Sequence, residues 1–262
     1  MQSPFSCTPN VYQSHVAALS QPRLDRYLAV ANGDRNRALR LYIWNARICE
    51  KFYLPLQTAE ICVRNIVHRT LTAHYGAGWY SNHKFIDVLP DRHKEELRRK
   101  VHEEQIGRAA AFTGNHVVAG LTFGFWVQLL AKPFEHLLWR RGMTVTFPHI
   151  PAAIGRQIAY QRIDDLRVFR NKIAHHYAIF DRYPLEEYRN AMDIIGWTCP
   201  DTHWFIRQLV DPQEVMSQNR LPDFKLRHYR QARSLAGTLY PGGVSPHRMS
   251  FEFFAKPAES NM

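Results

Sequence analysis

The sequence has no run of about eighteen uncharged apolar residues, the length a membrane helix needs, because even Val117 to Ala131 is too short and carries Gly and polar side chains. Its start, Met1-Gln-Ser-Pro-Phe-Ser-Cys7, lacks the basic opening and apolar stretch of a secretory signal. A soluble, cytoplasmic protein without a membrane partner is therefore expected. Cysteines number only four, at 7, 49, 62 and 199, with no Cys-x-x-Cys pair, so neither a zinc knuckle nor a redox motif can be read from them and no metal is expected. Cys49 and Cys62 fall in apolar helical pattern and read most simply as buried thiols. Period-two alternation is almost missing, and no repeat of solenoid length occurs.

Acidic residues are also in short supply. Among 262 residues, 34 Lys and Arg face 23 Asp and Glu, a formal charge of +11, which points to an anionic partner. The hydrophobic share of 45% and charged share of 22% are ordinary for a globular chain and exclude wholesale disorder and collagen-like arrays.

Helical periodicity dominates what is present. Leu24, Tyr27, Leu28 and Val30 behind Ser-Gln-Pro22 fit a short helix, broken by Asn32-Gly33. From the N-cap Asp34, apolar residues recur through Phe52, and Leu54-Pro55 is expected to end that helix. A second helix would run from Leu56 to Leu71 and stop at Gly76 and Gly78, so the two are expected to pack as a hairpin. The charge-dense stretch from Pro90 to Ile106 reads as a solvated helix rather than a nucleic-acid patch.

Farther on, Val117 to Leu130, with Gly120 and Gly124 suited to close helix contact, belongs in the core. Beyond a linker marked by Pro148, Pro151 and Gly155, a helix reaches the Arg170 to His176 region, and Pro184 opens another that stops before Pro200. From Asp211 onward, Gln, Arg, Pro and Gly replace the periodic apolar residues. The expected organisation is mainly α: an N-terminal extension over 1–19, a helical domain over 20–210 and a loose basic appendage over 211–262.

One segment carries a plausible chemistry: Arg170-Asn171-Lys172-Ile173-Ala174-His175-His176. The Arg-x4-His spacing alone is weak, since composition gives about one such pair by chance, and Arg69 and His74 supply one inside another helix. The Asn following Arg170 and the second His following His175 are the less accidental features. On a helix Asn171 and His175 share a face, and Arg170 can swing toward it. RNA is cut without a metal when a base takes the 2′-hydroxyl proton, an acid protonates the leaving 5′-oxygen and a cation steadies the phosphate. An imidazole and a guanidinium suit those tasks. One His per chain supplies only one proton-transfer group, which a symmetric dimer would double. The alternative is that His175 and His176 simply end a helix, where a partly positive imidazole favours the dipole and caps carbonyls.

Three blocks together resemble the Abi-like family of bacterial abortive-infection proteins, part of the HEPN superfamily of helical ribonucleases. They are Leu41-Tyr-Ile-Trp-Asn45 leading to Pro55-Leu56 and Glu60-x-x-x-Arg64-Asn65; Leu121-Thr-Phe-Gly-Phe-Trp126; and Leu166-Arg-x-x-Arg170-Asn171-Lys-Ile-Ala-His175-His176. The resemblance implies a HEPN-like helical bundle with a helical surround, a homodimer with the two motifs facing each other, and cofactor-free cleavage of RNA, often tRNA or other translation-related RNA. It further implies a role in phage defence or as a toxin, with an antitoxin or a phage-derived trigger as a further partner.

Carried onto this chain, Arg170 and His175 match the catalytic pair and Asn171 the polar residue beside the Arg. Tyr177-Ala178 stand where the family commonly has an acidic residue and a proline. Supporting positions are His176, Glu60, Arg64 and Asn65; Glu60 and Arg64 sit at the spacing of an ordinary i,i+4 ion pair. Arg167, Lys172, Arg140 and Arg141 are candidate phosphate contacts. A non-catalytic RNA-binding or sensing module, and a protein-interaction component of a defence system, remain the other readings.

Overall fold

The computed structural model describes residues 7–139, 146–212 and 214. All of them belong to the first of two units of the chain, Met1–Met216. The fold is mainly α, and among the described residues there is no strand. Nor is any described helix long and apolar enough to cross a membrane. Arg140, Arg141 and nearly all of the expected 211–262 appendage lie outside the described residues.

Within the stretch expected as an N-terminal extension, residues 9–19 form a helix. Helix α1 (Pro9–Leu19) starts at Thr8, whose hydroxyl accepts the Val11 N–H, and has Pro9 in its first turn. A break at Ser20, with φ 71°, turns the chain into α2 (Gln21–Val30). Tyr12 of α1, Leu24 of α2 and Leu39 of the next helix bury one another in a small cluster that fixes this corner.

The expected hairpin of two helices is replaced by one helix. α3 (Arg35–Tyr75) runs 41 residues, roughly 60 Å at 1.5 Å per residue, and Pro55 lies buried inside it. Proline removes one N–H and crowds the preceding turn, a local cost of about 3 kcal/mol. Burial of Leu41, Ile48, Phe52, Leu56, Ala59, Val63, Val67 and Leu71 along the same helix offsets it, since each large apolar side chain contributes about 1.5–3 kcal/mol. The expected ends of the pattern hold. Asp34 accepts the Arg37 N–H at 2.9 Å, and Gly76, at φ 85°, closes the helix with its N–H on the Thr72 carbonyl.

After α3, Trp79 is fully buried and packs edge-to-face on Phe85 and Trp126. Short α4 (His83–Ile86) leads to α5 (Asp91–Arg108), the expected solvated helix: Leu97 is its one buried residue, and ion pairs such as Lys100–Glu103 and Arg108–Glu104 line it. The expected core segment bends at Thr122 into α6 (Gly114–Gly120) and α7 (Phe123–Leu129), where Thr122 accepts the Phe125 N–H and gives its own hydroxyl to Glu96. A Cβ on Gly120 would stand 2.5 Å from the Lys100 Cδ, so close helix approach is real there, whereas Gly124 has ordinary contact room.

Short α8 (Glu135–Leu138) precedes α9 (Arg156–Ala174), α10 (Pro184–Thr198) and α11 (Pro200–Leu209). α10 and α2 make the most extensive contacts with α3, and α7 and α9 also pack on it. Phe52 and Phe169 meet edge-to-face at 5.0 Å and hold α9 against α3. Arg162 joins α9 to α10, reaching Asn190 at 2.7 Å and Asp193 at 2.6 Å with its guanidinium over the Trp197 ring.

Candidate functional site at the end of helix α9

Arg170 lies in the last full turn of α9, on the side toward α3. Its Nε stands 3.0 Å from Glu60 Oε2, and one Nη donates to Asn171 Oδ1 at 3.1 Å. Two acceptors from different elements therefore aim one guanidinium, whose planar fork favours such shared recognition. Glu60 thus pairs across to α9, and not with its helical neighbour Arg64, whose Nε is buried with no hydrogen-bond partner among the described residues. The Arg170 side chain keeps 40% of its surface exposed against 18% for Glu60, so the acid is the inner member of the pair.

The helix ends in a two-bond turn. The N–H of His176 donates to the Ile173 carbonyl and the N–H of Tyr177 to the Lys172 carbonyl, each at 2.9 Å. His176 adopts φ 60°, the left-handed conformation that this termination demands and glycine usually supplies. Here the backbone of the histidines, not their rings, caps the helix. His175 is the exposed C-cap residue, and its N–H donates to the Asn171 carbonyl at 2.9 Å. No hydrogen bond to its imidazole occurs among the described residues.

The segment leaving the motif is pinned from below. Asn45 Oδ1 accepts the N–H of Ile179 at 2.8 Å and of Phe180 at 3.2 Å. Ala178, Ile179 and Phe180 are buried, and Phe180 leans on Tyr27. Ala178, where the resembled family has proline, therefore sits in a turn held by other means. Arg23 donates to the His176 carbonyl at 2.7 Å, Arg26 pairs with Asp181, and Arg182 faces the same carboxylate. Lys172 shares this basic surroundings: burial, then Arg182 and Arg26, push its ammonium pKa down, while Asp181 and Glu187 oppose them.

The structure thus brings together Glu60, Arg170, Asn171 and, at the following turn, His175 and His176. It does not bring Asn65 there: that side chain lines a separate cavity with Cys62 and Cys199. Arg167 is half-buried, its guanidinium against Asp164 at 2.7 Å. Asn45, Arg23, Arg26 and Asp181 were not among the expected site residues. Asn45 had a visible signal, a polar residue in register with the apolar Leu41, Ile48 and Phe52.

Among the described residues no group of three or more His, Cys, Asp or Glu is placed to hold a metal ion. The chain matches no family model, no curated protein and no solved structure.

Proposed function

We propose that the chain is a HEPN-type endoribonuclease that cuts RNA by attack of the 2′-hydroxyl on the adjacent phosphate, working as a homodimer in phage defence or as a toxin. The observation that carries the reading is the guanidinium of Arg170, aimed by Glu60 and Asn171 beside an exposed imidazole one turn on. In this scheme one His175 takes the 2′-hydroxyl proton and the partner copy's His175 returns a proton to the leaving 5′-oxygen. Arg170 stabilises the charge that builds on the phosphate, and the products carry a 2′,3′-cyclic phosphate and a 5′-hydroxyl. An imidazole can serve as base in one copy and as acid in the other. The fold class, the excess of basic residues and the three sequence blocks support the same reading; tRNA or another translation-related RNA is the proposed substrate.

A second reading has its own observation. Among the described residues the His175 ring has no hydrogen-bond partner that orients it, which suits a cleft that grips RNA without cutting it, as a sensing module or as an effector held by an antitoxin. Purified wild type and His175→Ala, incubated with total bacterial RNA in EDTA and mapped for 2′,3′-cyclic ends, separate the two. Discrete cuts by wild type alone, with RNA affinity unchanged within about twofold, support the nuclease; a uniform RNA-binding change is what phosphate contacts alone would give. Binding without cuts by either protein overturns the nuclease in favour of the binding module. Absence of both points to an acidic protein partner.

A further inference from the structure

On the opposite side of α3 from the motif, a cavity of about 300 Å³ is lined by Cys62, Asn65 and Arg69 of α3 and by Thr198, Cys199 and Thr202 at the junction of α10 and α11. Two thiols from elements far apart in sequence therefore open onto one space.

Their chemical settings differ. Cys199 is the N-cap of α11, and its Sγ accepts the Thr202 N–H at 3.5 Å. The first turn of a helix presents N–H groups that no carbonyl of the helix satisfies, and a thiolate there gains from both the hydrogen bond and the dipole. The contact with Thr202 accordingly draws the Cys199 thiol below its ordinary pKa, against burial and, to a smaller extent, the carboxylate of Asp201. Cys62 is pushed the other way by burial, with Thr198 and Arg69 acting against that rise. Thr198, which lines the same cavity, is the residue preceding Cys199. Cys49, half-buried on another face of α3, is raised to about 11.

We propose that Cys199 is a peroxide-reactive thiol and Cys62 its resolving partner, so that oxidation ties α3 to the α10–α11 junction. In the first step the Cys199 thiolate attacks hydrogen peroxide. The O–O bond breaks, an S–O bond forms, and hydroxide leaves; Cys199 becomes a sulfenic acid. In the second step the Cys62 sulfur attacks that sulfur. The S–S bond forms, the S–O bond breaks, and the oxygen leaves as water with the proton of the Cys62 thiol. Peroxide is the oxidant throughout, and a dithiol reverses the change.

The test uses the full reduced chain. With limiting N-ethylmaleimide near neutral pH, peptide mass spectrometry of wild type gives initial alkylation rates site by site. Cys199 is expected to react at least about tenfold faster than Cys49, as one pKa unit of thiolate fraction implies. Stoichiometric hydrogen peroxide should then remove two hydrogens from the intact mass and yield a Cys62–Cys199 cross-linked peptide that dithiothreitol releases. In Cys62→Ser a dimedone adduct should accumulate at Cys199, and in Cys199→Ser the cross-link should vanish. Alkylation of Cys199 no faster than of Cys49 overturns the proposal. So does peroxide product that stays at Cys199 in wild type without a cross-link, or a cross-link between another pair. The rate comparison needs no variant, so a misfolded mutant leaves it decisive.

Discussion

Asn45, buried in the N-terminal third of α3, holds with a single Oδ1 atom the backbone N–H groups of Ile179 and Phe180, more than a hundred residues away. The two bonds tie the long helix to the turn that follows the motif. Asn45→Ala leaves two buried donors unpaired, each worth about 1–3 kcal/mol, and a loss of about 2–4 kcal/mol in urea unfolding is expected. Amide exchange at Ile179 and Phe180 should accelerate more than at helix-interior sites. Unchanged exchange at those two amides would show that the bonds do not restrain the turn.

His176 occupies a backbone conformation that costs a non-glycine residue about 1–2 kcal/mol. Glycine relieves that strain but adds unfolded-state freedom worth about 0.4–1 kcal/mol. His176→Gly is therefore expected to raise stability by up to about 1.5 kcal/mol, measured as the denaturation midpoint. On the proposed nuclease scheme it leaves cleavage in place, because His175 carries the proton. A destabilised glycine variant would show that the His176 ring makes contacts that outweigh its backbone strain.

How far the sequence reaches is clearest at the start of α3, at α5, at α11 and at Pro55. The charged helix α5 and the N-cap of α3 were legible because each rests on local spacing. Pro55 was misleading: local chemistry says stop, and the packing of α3 against α2, α7, α9 and α10 overrides it. α11 is short, and Ile206 is its one buried residue, while Trp204, Phe205 and Leu209 are exposed. The helix opened by Pro184 stops before Pro200 as expected, at Thr198, and Pro200 itself stands at the first turn of a new helix. The Arg170 segment was legible as a motif; its partner Glu60 was noted, but its pairing across to α9 depends on how two distant helices meet.

His68 gives the fold a pH dependence. Its Nδ1 accepts the indole N–H of buried Trp79 at 3.0 Å, and burial, with Arg69 adding to it, lowers the imidazole pKa below its ordinary 6.5. The unfolded chain then binds a proton more readily than the folded one. Stability from this site is complete above the unfolded value and is lost as pH falls through 6.5 toward the lower folded value. His93, lowered mainly by burial, adds in the same sense. The melting temperature should fall between about pH 7.5 and about 5. His68→Gln keeps an acceptor for the indole but does not titrate, and it should flatten the fall without abolishing it. A slope identical to that of wild type would rule His68 out as a contributor.

The Glu60–Arg170 pair separates stability from chemistry. With Arg170 40% exposed, solvent screens the ion pair, and a double-mutant cycle with Glu60→Gln and Arg170→Gln should give a coupling of only about 0.5–1 kcal/mol. Arg170→Lys keeps the charge but loses the fork that meets Glu60 and Asn171 together, and its effect on unfolding should be under about 1 kcal/mol. On the proposed scheme the same change removes positioned donors from the phosphate, where one such donor is worth about 10²–10³ in rate. Cleavage should therefore fall by about that factor in a protein of nearly wild-type stability. Glu60→Gln, which keeps an oxygen near Arg170 Nε, should cost less in rate than Arg170→Lys. Equal, small losses from both would assign the pair to holding α9 against α3 and would remove Arg170 from the reaction.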